Sequence, residues 1–224
     1  MRKLFVFGCS FSHRYGGVSK AYGDHLAERI GIEYIHCARS CGSNYAIWRD
    51  AVTKIRNNEI TPDDLVLIQY TEFTRKEFVC SEEGYAPDDI SEKFNNDAHL
   101  IRFKMTASQW NKNKHVKKFL ELYETYFVNV DYDAVNYQNQ HVMFQTFLLY
   151  NNINAYFLNL NDYAIPYHMN IHIKEFKDNE YEDRSIGKSP LDRYNDIDEW
   201  HLSEHGHRQL SNDLYNFLVS KNEI

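Results

Sequence analysis

Short apolar runs alternate with helix-patterned segments along the first 70 residues, and this alternation restricts the fold more than any other feature. Three runs have the length and the β-branched or aromatic content of buried strands: Lys3–Phe7, Glu33–Ala38 and Leu65–Tyr70. Apolar residues between them recur at helical spacing, at Tyr22, Leu26 and Ile30 and again at Ile47, Ala51, Val52 and Ile55. The β-α-β-α-β order predicts a mostly parallel sheet with right-handed crossovers and helices on both faces.

The second half of the chain predicts fewer regular elements. Apolar spacing within 114–150 predicts two helices, and Ala155–Leu160 predicts a fourth strand. Ser203 is placed to cap a closing helix whose apolar face is Leu210, Leu214, Phe217 and Leu218. We interpret 161–195 as irregular.

The stretch at about 76–113 is polar, with scattered aromatic residues, and we interpret it as an insertion or lid rather than as sheet. A length of 224 residues suits one sizeable core and is short for two ordinary domains. We therefore expect residues 1–224 to form a single domain that carries this insertion.

The charge balance argues against a nucleic-acid partner. The chain has 32 acidic and 25 basic residues, a formal net charge of −7, and no basic stripe that would neutralise a phosphate backbone. Aromatic residues make up 15% of the chain, so a packed interior is expected and a disordered state is not. The oligomeric state is left open.

The apolar run near the start, Leu4 to Phe7, is too short for the core of a signal peptide, and no later run is long enough to span a bilayer. We therefore expect a cytoplasmic protein without a membrane partner. The four cysteines form no paired framework and are expected to be reduced thiols, with a Cys37–Cys41 bridge as the alternative.

Catalytic groups in an open α/β sheet lie beyond the carboxyl ends of the strands. The loop after the first strand places Ser10 at a strand-to-helix turn among small residues, where a hydroxyl can point outward and backbone N–H groups can face an oxyanion. An ordinary turn is the alternative interpretation, because glycine and serine are common turn residues.

Near the other end of the chain, Asp198 stands three residues before His201, just ahead of the closing helix. On one turn the carboxylate can accept the Nδ1 proton of the imidazole and leave Nε2 facing Ser10. Such a base supplies what a serine hydroxyl lacks at neutral pH. A surface aspartate and histidine at a helix start remain the alternative.

Three short segments, GCSFS at Gly8–Ser12, CGSN at Cys41–Asn44 and DEWHLSEHGHRQL at Asp198–Leu210, together resemble blocks of the SGNH/GDSL hydrolases. GCSFS at Gly8–Ser12 resembles the first block, with cysteine in place of the usual aspartate, and DEWHLSEHGHRQL at Asp198–Leu210 resembles the last. Cys41–Asn44 is similar to the second block, in which a glycine N–H joins the oxyanion hole. The resemblance implies a three-layer α/β/α sandwich with a mostly parallel, flavodoxin-like sheet of about five strands. It also implies a Ser10, His201 and Asp198 triad, with oxyanion donors at Ser10 and Gly42.

The third block departs from the family. After the third strand the family usually has a glycine and an asparagine whose amide completes the oxyanion hole, whereas this chain reads QYTEFTRKEF from Gln69 to Phe78, without an asparagine. Loss of one donor typically costs about 10²–10³ in rate. Asn44 is the first candidate substitute, with Thr71 next, although Asn44 could instead cap a helix. Arg75 is a candidate for binding an anionic or polar substrate, or a solvated charge.

Other reactive side chains are given structural interpretations. Cys9 adjoins Ser10 and should point inward, because neighbouring side chains on an extended strand end point in opposite directions. His168 and His172 have the spacing of a metal pair without an acidic motif beside them, so no metal and no cofactor are expected. His207 is expected to be solvated or hydrogen-bonded.

The resemblance favours a serine esterase that removes a small acyl group, acetate being the first candidate, from a carbohydrate or another small hydroxylated substrate. Two alternatives stay open. An O-acyltransferase would use the same site with a sugar hydroxyl as acceptor. A non-catalytic binding or structural protein would explain the missing third-block asparagine.

Overall fold

The structure, a computed structural model, describes residues 1–14, 17–39, 42–80, 91–95, 98–103, 114–160, 174–182 and 201–224. Its strands are β1 (Lys3–Phe7), β2 (Glu33–His36), β3 (Leu65–Gln69), β4 (Lys76–Cys80), β5 (Ser91–Asn95), β6 (Ala98–Phe103), β7 (Ala155–Asn159) and β8 (Glu180–Glu182). Its helices are α1 (Tyr22–Ile30), α2 (Asn44–Arg56), α3 (Lys114–Tyr126), α4 (Val130–Tyr150) and α5 (Glu204–Ser220).

The main sheet has five strands in the order β2-β1-β3-β7-β8, and every neighbouring pair is parallel. In chain order this is 2-1-3-4-5, the flavodoxin-like arrangement, in which strand order reverses between β1 and β3. The predicted α/β fold class is confirmed. The carboxyl ends of β1 and β3 therefore form the crevice at which ligands bind in such sheets.

Two cores lie on opposite faces of the main sheet. Side chains alternate along β1, so that Phe5 and Phe7 pack against α2 and α4 while Leu4 and Val6 pack against α1 and α5. Burial on both faces explains why β1, β3 and β7 are almost continuously apolar. The predicted helices on both faces of the sheet are confirmed.

The region at 76–113 contains a second sheet, which corrects the interpretation of this stretch as non-sheet. Strands β4, β6 and β5 pair antiparallel in that order. Two side-chain ion pairs join β4 to helices of the main sheet. Lys76 Nζ lies 2.6 Å from Oδ1 of Asp133 on α4, and Nη1 of Arg49 on α2 lies 2.7 Å from Oε2 of Glu77. Phe78 also packs edge-on against Phe119 of α3.

Most predicted boundaries hold to within a few residues. Gly31 ends α1 in the left-handed conformation with φ of 80°, and Ser203 caps α5 by accepting a hydrogen bond from Gly206 N. Strand β8, within the stretch interpreted as irregular, was not predicted. Among the described residues, no helix is both long and apolar enough to cross a membrane. Cys9 and Cys37 are free thiols.

Candidate functional site

Ser10 opens a single 3₁₀ turn directly beyond β1. The turn spans Ser10–Ser12 and is closed by a hydrogen bond from Ser12 N to Cys9 O, 3.0 Å long. Cys9 is fully buried and its thiol points inward, as predicted, while Ser10 keeps about 9% of its surface exposed. The serine thus stands at the crevice end of the sheet with a small accessible surface.

The side chain of Gln69, the last residue of β3, holds this turn from beneath. Its Oε1 accepts hydrogen bonds from the backbone N–H of Cys9 at 2.9 Å, from the Cys9 thiol at 3.3 Å and from the Ser12 hydroxyl at 3.1 Å. Its Nε2 donates to the carbonyl of Tyr70. Because Gln69 is completely buried, one amide fixes two positions of the turn in a water-free environment.

The hydrogen-bonded network continues into the opposite core. The Ser12 hydroxyl lies 2.6 Å from the Tyr22 hydroxyl, and the backbone N–H of Tyr22 donates to Nδ1 of His207 at 3.1 Å. His207 therefore satisfies an N–H group in the first turn of α1. Burial, followed by repulsion from His25, lowers the pKa of His207 to about 4, so this imidazole is neutral near pH 7. Of the two expected states of His207, solvated or hydrogen-bonded, the structure shows the hydrogen-bonded one.

The loop after β2 runs directly beside the Ser10 turn. Arg39 N donates to Gly8 O at 3.0 Å, and a Cβ added at Gly42 would lie 3.3 Å from Gly8 O and 3.8 Å from Cys9 Cα. A glycine at 42 permits this close approach of two backbones. The N–H of Gly42 donates to Arg39 O at 3.2 Å, so it is engaged within its own loop.

Asn44 joins the loops after β2 and β3. Its Nδ2 donates to Thr71 O at 2.8 Å, and its Oδ1 accepts from Thr71 N at 3.0 Å. Asn44 is the first residue of α2, whereas Ser43 is the N-cap and accepts from Ala46 N. The alternative interpretation of Asn44 as the helix cap is therefore wrong. Only one Nδ2 hydrogen remains for a further acceptor.

Thr71 and Arg75 lie at the same edge of the sheet. The Thr71 hydroxyl is buried and has no hydrogen-bond partner among the described residues, whereas most buried hydroxyls have one. Arg75 is mostly buried, so its interpretation as a solvated charge is wrong: Nη1 donates to Gly42 O at 3.3 Å, and Nε lies 3.7 Å from Glu72. The guanidinium therefore links the second and third loops.

The segment before α5 packs onto the Ser10 turn. The ring of His201 lies 5.7 Å from the ring of Phe11, the residue after Ser10. Leu202 is buried in the same apolar cluster as Cys9 and Phe11. The two ends of the chain thus meet at the crevice. Asp198 lies outside the described residues.

Two histidines, His13 and His36, lie beside the Ser10–Ser12 turn. The rings of His13 and His36 contact at 4.9 Å, and Nδ1 of His36 lies 2.8 Å from the Tyr34 hydroxyl. Burial, followed by the neighbouring His13, lowers the pKa of His36 to about 4. Within the described part of the chain, no three potential metal-ligand side chains cluster, and His168 and His172 lie outside it.

Sequence reasoning missed Gln69, Ser12 and Tyr22 as supports of the turn. The available signal was one amide at the end of an otherwise apolar strand, LVLIQ. A polar side chain in a strand buried on both faces needs a partner, and the nearest loop was the one that carries Ser10.

No protein-family model matches the chain, and no curated protein matches it. Among solved structures, the lipase Lip_vut3 from a goat rumen metagenome aligns over 97% of both chains, with 11% identity and a TM-score of 0.48. A protein described as lipolytic and of the G-D-S-L family, from Desulfitobacterium hafniense DCB-2, aligns over 97% of this chain and 100% of that chain. The identity is 13% and the TM-score 0.38. Because both TM-scores are below 0.5, neither similarity supports an argument about activity or substrate.

Proposed function

We propose that this protein is a serine esterase of the SGNH/GDSL type. The observation that carries the proposal is the contact between the His201 and Phe11 rings at 5.7 Å, which brings a histidine from one chain end to the serine turn of the other. Ser10 is held at the carboxyl end of β1, next to the point where strand order reverses. This combination suits nucleophilic catalysis at a sheet crevice.

In the proposed reaction the Ser10 hydroxyl attacks the ester carbonyl while Nε2 of His201 takes its proton. The tetrahedral intermediate expels the alcohol, which receives that proton, and an acyl-serine remains. Water then attacks the acyl group with His201 again as base, which releases the acid and restores Ser10. Asp198 is assigned the orienting carboxylate because it is spaced to accept the Nδ1 proton of His201.

Four groups are candidates for donating a hydrogen bond to the oxyanion: the N–H groups of Ser10 and Gly42, the amide of Asn44 and the hydroxyl of Thr71. The N–H of Ser10 lies at the start of its turn, where helical N–H groups have no partner within the turn. The N–H of Gly42 would have to leave Arg39 O, and Asn44 has one Nδ2 hydrogen to offer. Thr71 has a buried hydroxyl that meets no partner in the part of the chain that the structure describes, so we favour Thr71 as the replacement for the third-block asparagine.

A non-catalytic binding protein is the second candidate function. The hydrogen bond from Gly42 N to Arg39 O and the pairing of Asn44 with Thr71 favour it, because both engage groups that an oxyanion would need. In this case the crevice would bind a ligand without forming an acyl-serine.

Labelling with a fluorophosphonate probe tests the proposal. We expect the intact protein to label rapidly and Ser10→Ala and His201→Ala to label at least about 10³-fold more slowly, since nucleophile and base act as a unit. Ser211→Ala is the matched control, because Ser211 is a buried serine on α5 away from the crevice. Labelling of the intact protein no faster than Ser10→Ala would refute both enzyme hypotheses and favour the binding protein.

A series of p-nitrophenyl esters of increasing acyl length would then define the acyl group. For the proposed acetyl or similarly small group, kcat/KM should be highest for acetate and fall as the chain lengthens. Adding a candidate sugar acceptor separates hydrolase from transferase, because an acylated sugar would form only if a sugar hydroxyl replaces water.

A further inference from the structure

The outward face of α4 is apolar although it faces solvent. Its exposed fractions are 68% for Tyr132, 70% for Met143 and 85% for Tyr150, with Val135 and Leu149 also exposed. We call the exposed residues of α4 between Tyr132 and Tyr150 the α4 outer face. Single exposed apolar residues are ordinary, but a contiguous apolar surface of this kind marks an interaction site.

The distribution of polar residues on α4 strengthens this point. The side that packs on the core carries Asp133, His141 and Gln145, all buried. From residue 134 to residue 150 the helix has no Asp, Glu, Lys or Arg. A surface helix normally carries its charges on the solvent side. The α4 outer face thus carries no charge, and six of its eight exposed residues are apolar.

The α4 outer face has the spacing of a helix-pairing seam. Its central line runs through Tyr132, Val135, Asn139, Val142, Thr146 and Leu149. These residues are separated by three, four, three, four and three positions, so they form one line along the helix, uncharged throughout and apolar at four of its six positions. A line of this kind can pack against a second helix lying along α4.

We infer that the α4 outer face binds the same face of a second copy of this chain, with the two α4 helices antiparallel about a two-fold axis. An uncharged, heptad-spaced seam is self-complementary, as an isologous interface requires. The antiparallel direction keeps the exposed Asp131 of each copy away from its counterpart, and it opposes the two helix dipoles.

The surface is large enough for such a dimer. Tyr126, the last residue of α3, and Phe127, in the short connection to α4, are exposed by 73% and 71%. With about 150–250 Å² for an aromatic side chain, the four exposed rings of Tyr126, Phe127, Tyr132 and Tyr150 offer about 600 Å². Met143 and the aliphatic residues bring this toward the roughly 800 Å² per partner of a standard interface.

A lipid surface fits this face less well. Helices that lie on membranes carry Lys or Arg beside the apolar side, to contact anionic headgroups. The α4 outer face has none, and the chain has a net charge of −7. A second copy of this chain presents the same uncharged face, so its binding requires no charged residues on the α4 outer face.

Sedimentation equilibrium of the whole chain across the micromolar range tests the inference. We expect a mass approaching twice 26.7 kDa, and Val142→Glu and Met143→Glu to raise the dissociation constant at least about tenfold. Val219→Glu is the matched control, because Val219 is an exposed valine on α5. Circular dichroism shows whether each variant remains folded.

A charge pair tests the direction. In the antiparallel seam Val135 faces the partner's Thr146, so Val135→Lys and Thr146→Glu should each weaken the dimer and the double variant should restore it. A parallel seam would set like charges against each other, and the double variant would be weaker still. The inference is overturned by a monomer at every concentration, with or without binding to vesicles of anionic lipid. A dimer that Val219→Glu disrupts and Val142→Glu does not would also overturn it.

Discussion

The backbone N–H of Cys9 donates to the side-chain Oε1 of Gln69 at 2.9 Å, which ties the residue before Ser10 to the end of the neighbouring strand. The same oxygen accepts from Ser12, the last residue of the turn. Ser10 is thus held from both sides by one buried acceptor. In the proposed enzyme this amide would position the nucleophile without touching the substrate.

Replacing Gln69 by leucine should destabilise the fold and slow probe labelling of Ser10. The buried N–H of Cys9 would lose its acceptor, at a cost of roughly 1–3 kcal/mol in the free energy of unfolding. Urea unfolding measures this loss, and labelling of the folded variant measures the displacement of the serine. Gln140→Leu, at a half-buried glutamine on α4, is the control. If Gln69→Leu and Gln140→Leu lost equal amounts of unfolding free energy and of labelling rate, the role assigned to Gln69 would be contradicted.

Alanine at Gly8 should be more damaging than alanine at Gly42. A Cβ at Gly8 would lie 2.5 Å from Ser12 Oγ and 2.7 Å from Gln69 Oε1, both fixed in the buried network. At Gly42 the nearest atoms would be 3.3 Å away. Overpacking of this kind typically costs about 1–3 kcal/mol, so thermal unfolding should separate the two variants. A Gly42→Ala variant less stable than Gly8→Ala would contradict this expectation, because the Ser10–Ser12 turn would then shift readily to accommodate the methyl group added at position 8.

The sequence predicted the elements whose burial requires a regular pattern of apolar residues. Strands β1, β3 and β7 are covered on both faces and are therefore apolar runs, and α1 and α5 each bury one stripe. Strand β8 has only three residues, Glu-Tyr-Glu, and pairs with β7 at the end of the sheet order. It was missed because nothing in its composition requires a strand.

The sequence predicted which loops form the candidate site, but it did not predict the hydrogen bonds between them. Gly8, Ser10 and Gly42 were placed together because strand ends of a parallel sheet share an edge. The pairing of Asn44 with Thr71 depends on two loops 27 residues apart, and local sequence does not encode it. Likewise, β4 and β6 form a sheet through long-range pairing of strands that contain charged residues.

Acid should destabilise the protein through His207. Its pKa falls from 6.5 to about 4 on folding, so the unfolded chain binds this proton first. The stabilisation is complete above pH 6.5 and is lost as the pH falls towards 4. The stability of the intact protein should therefore decline across this window by roughly 3 kcal/mol more than that of His207→Gln. Urea unfolding at several pH values measures it, with His205→Gln, an exposed histidine on α5, as control. If the free energy of unfolding of the intact protein and of His207→Gln fell in parallel with decreasing pH, His207 would not be the cause of the acid destabilisation.

Breaking the ion pair between Lys76 and Asp133 should loosen the attachment of β4. Both side chains are largely buried, and Lys76→Met would leave a buried carboxylate without its partner, at a cost of about 3–5 kcal/mol. Adding Asp133→Leu should recover most of this loss, because the uncompensated charge is removed. Lys20→Met, in an exposed pair with Glu28, should change the free energy of unfolding by less than about 1 kcal/mol. A double variant as unstable as Lys76→Met would argue against the ion pair as the cause.

Replacing Thr71 by valine should move catalysis and stability in opposite directions. Within the described ranges the buried hydroxyl has no partner, so its removal relieves an unsatisfied polar group and should leave the free energy of unfolding equal or higher. If the same hydroxyl donates to the oxyanion, labelling of Ser10 should slow by about 10²–10³. Thr71→Ser retains the hydroxyl and should label nearly as fast as the intact protein. Because a merely structural threonine would change both properties together or neither, a stable Thr71→Val variant with undiminished labelling would transfer the donor role to Asn44 or Gly42.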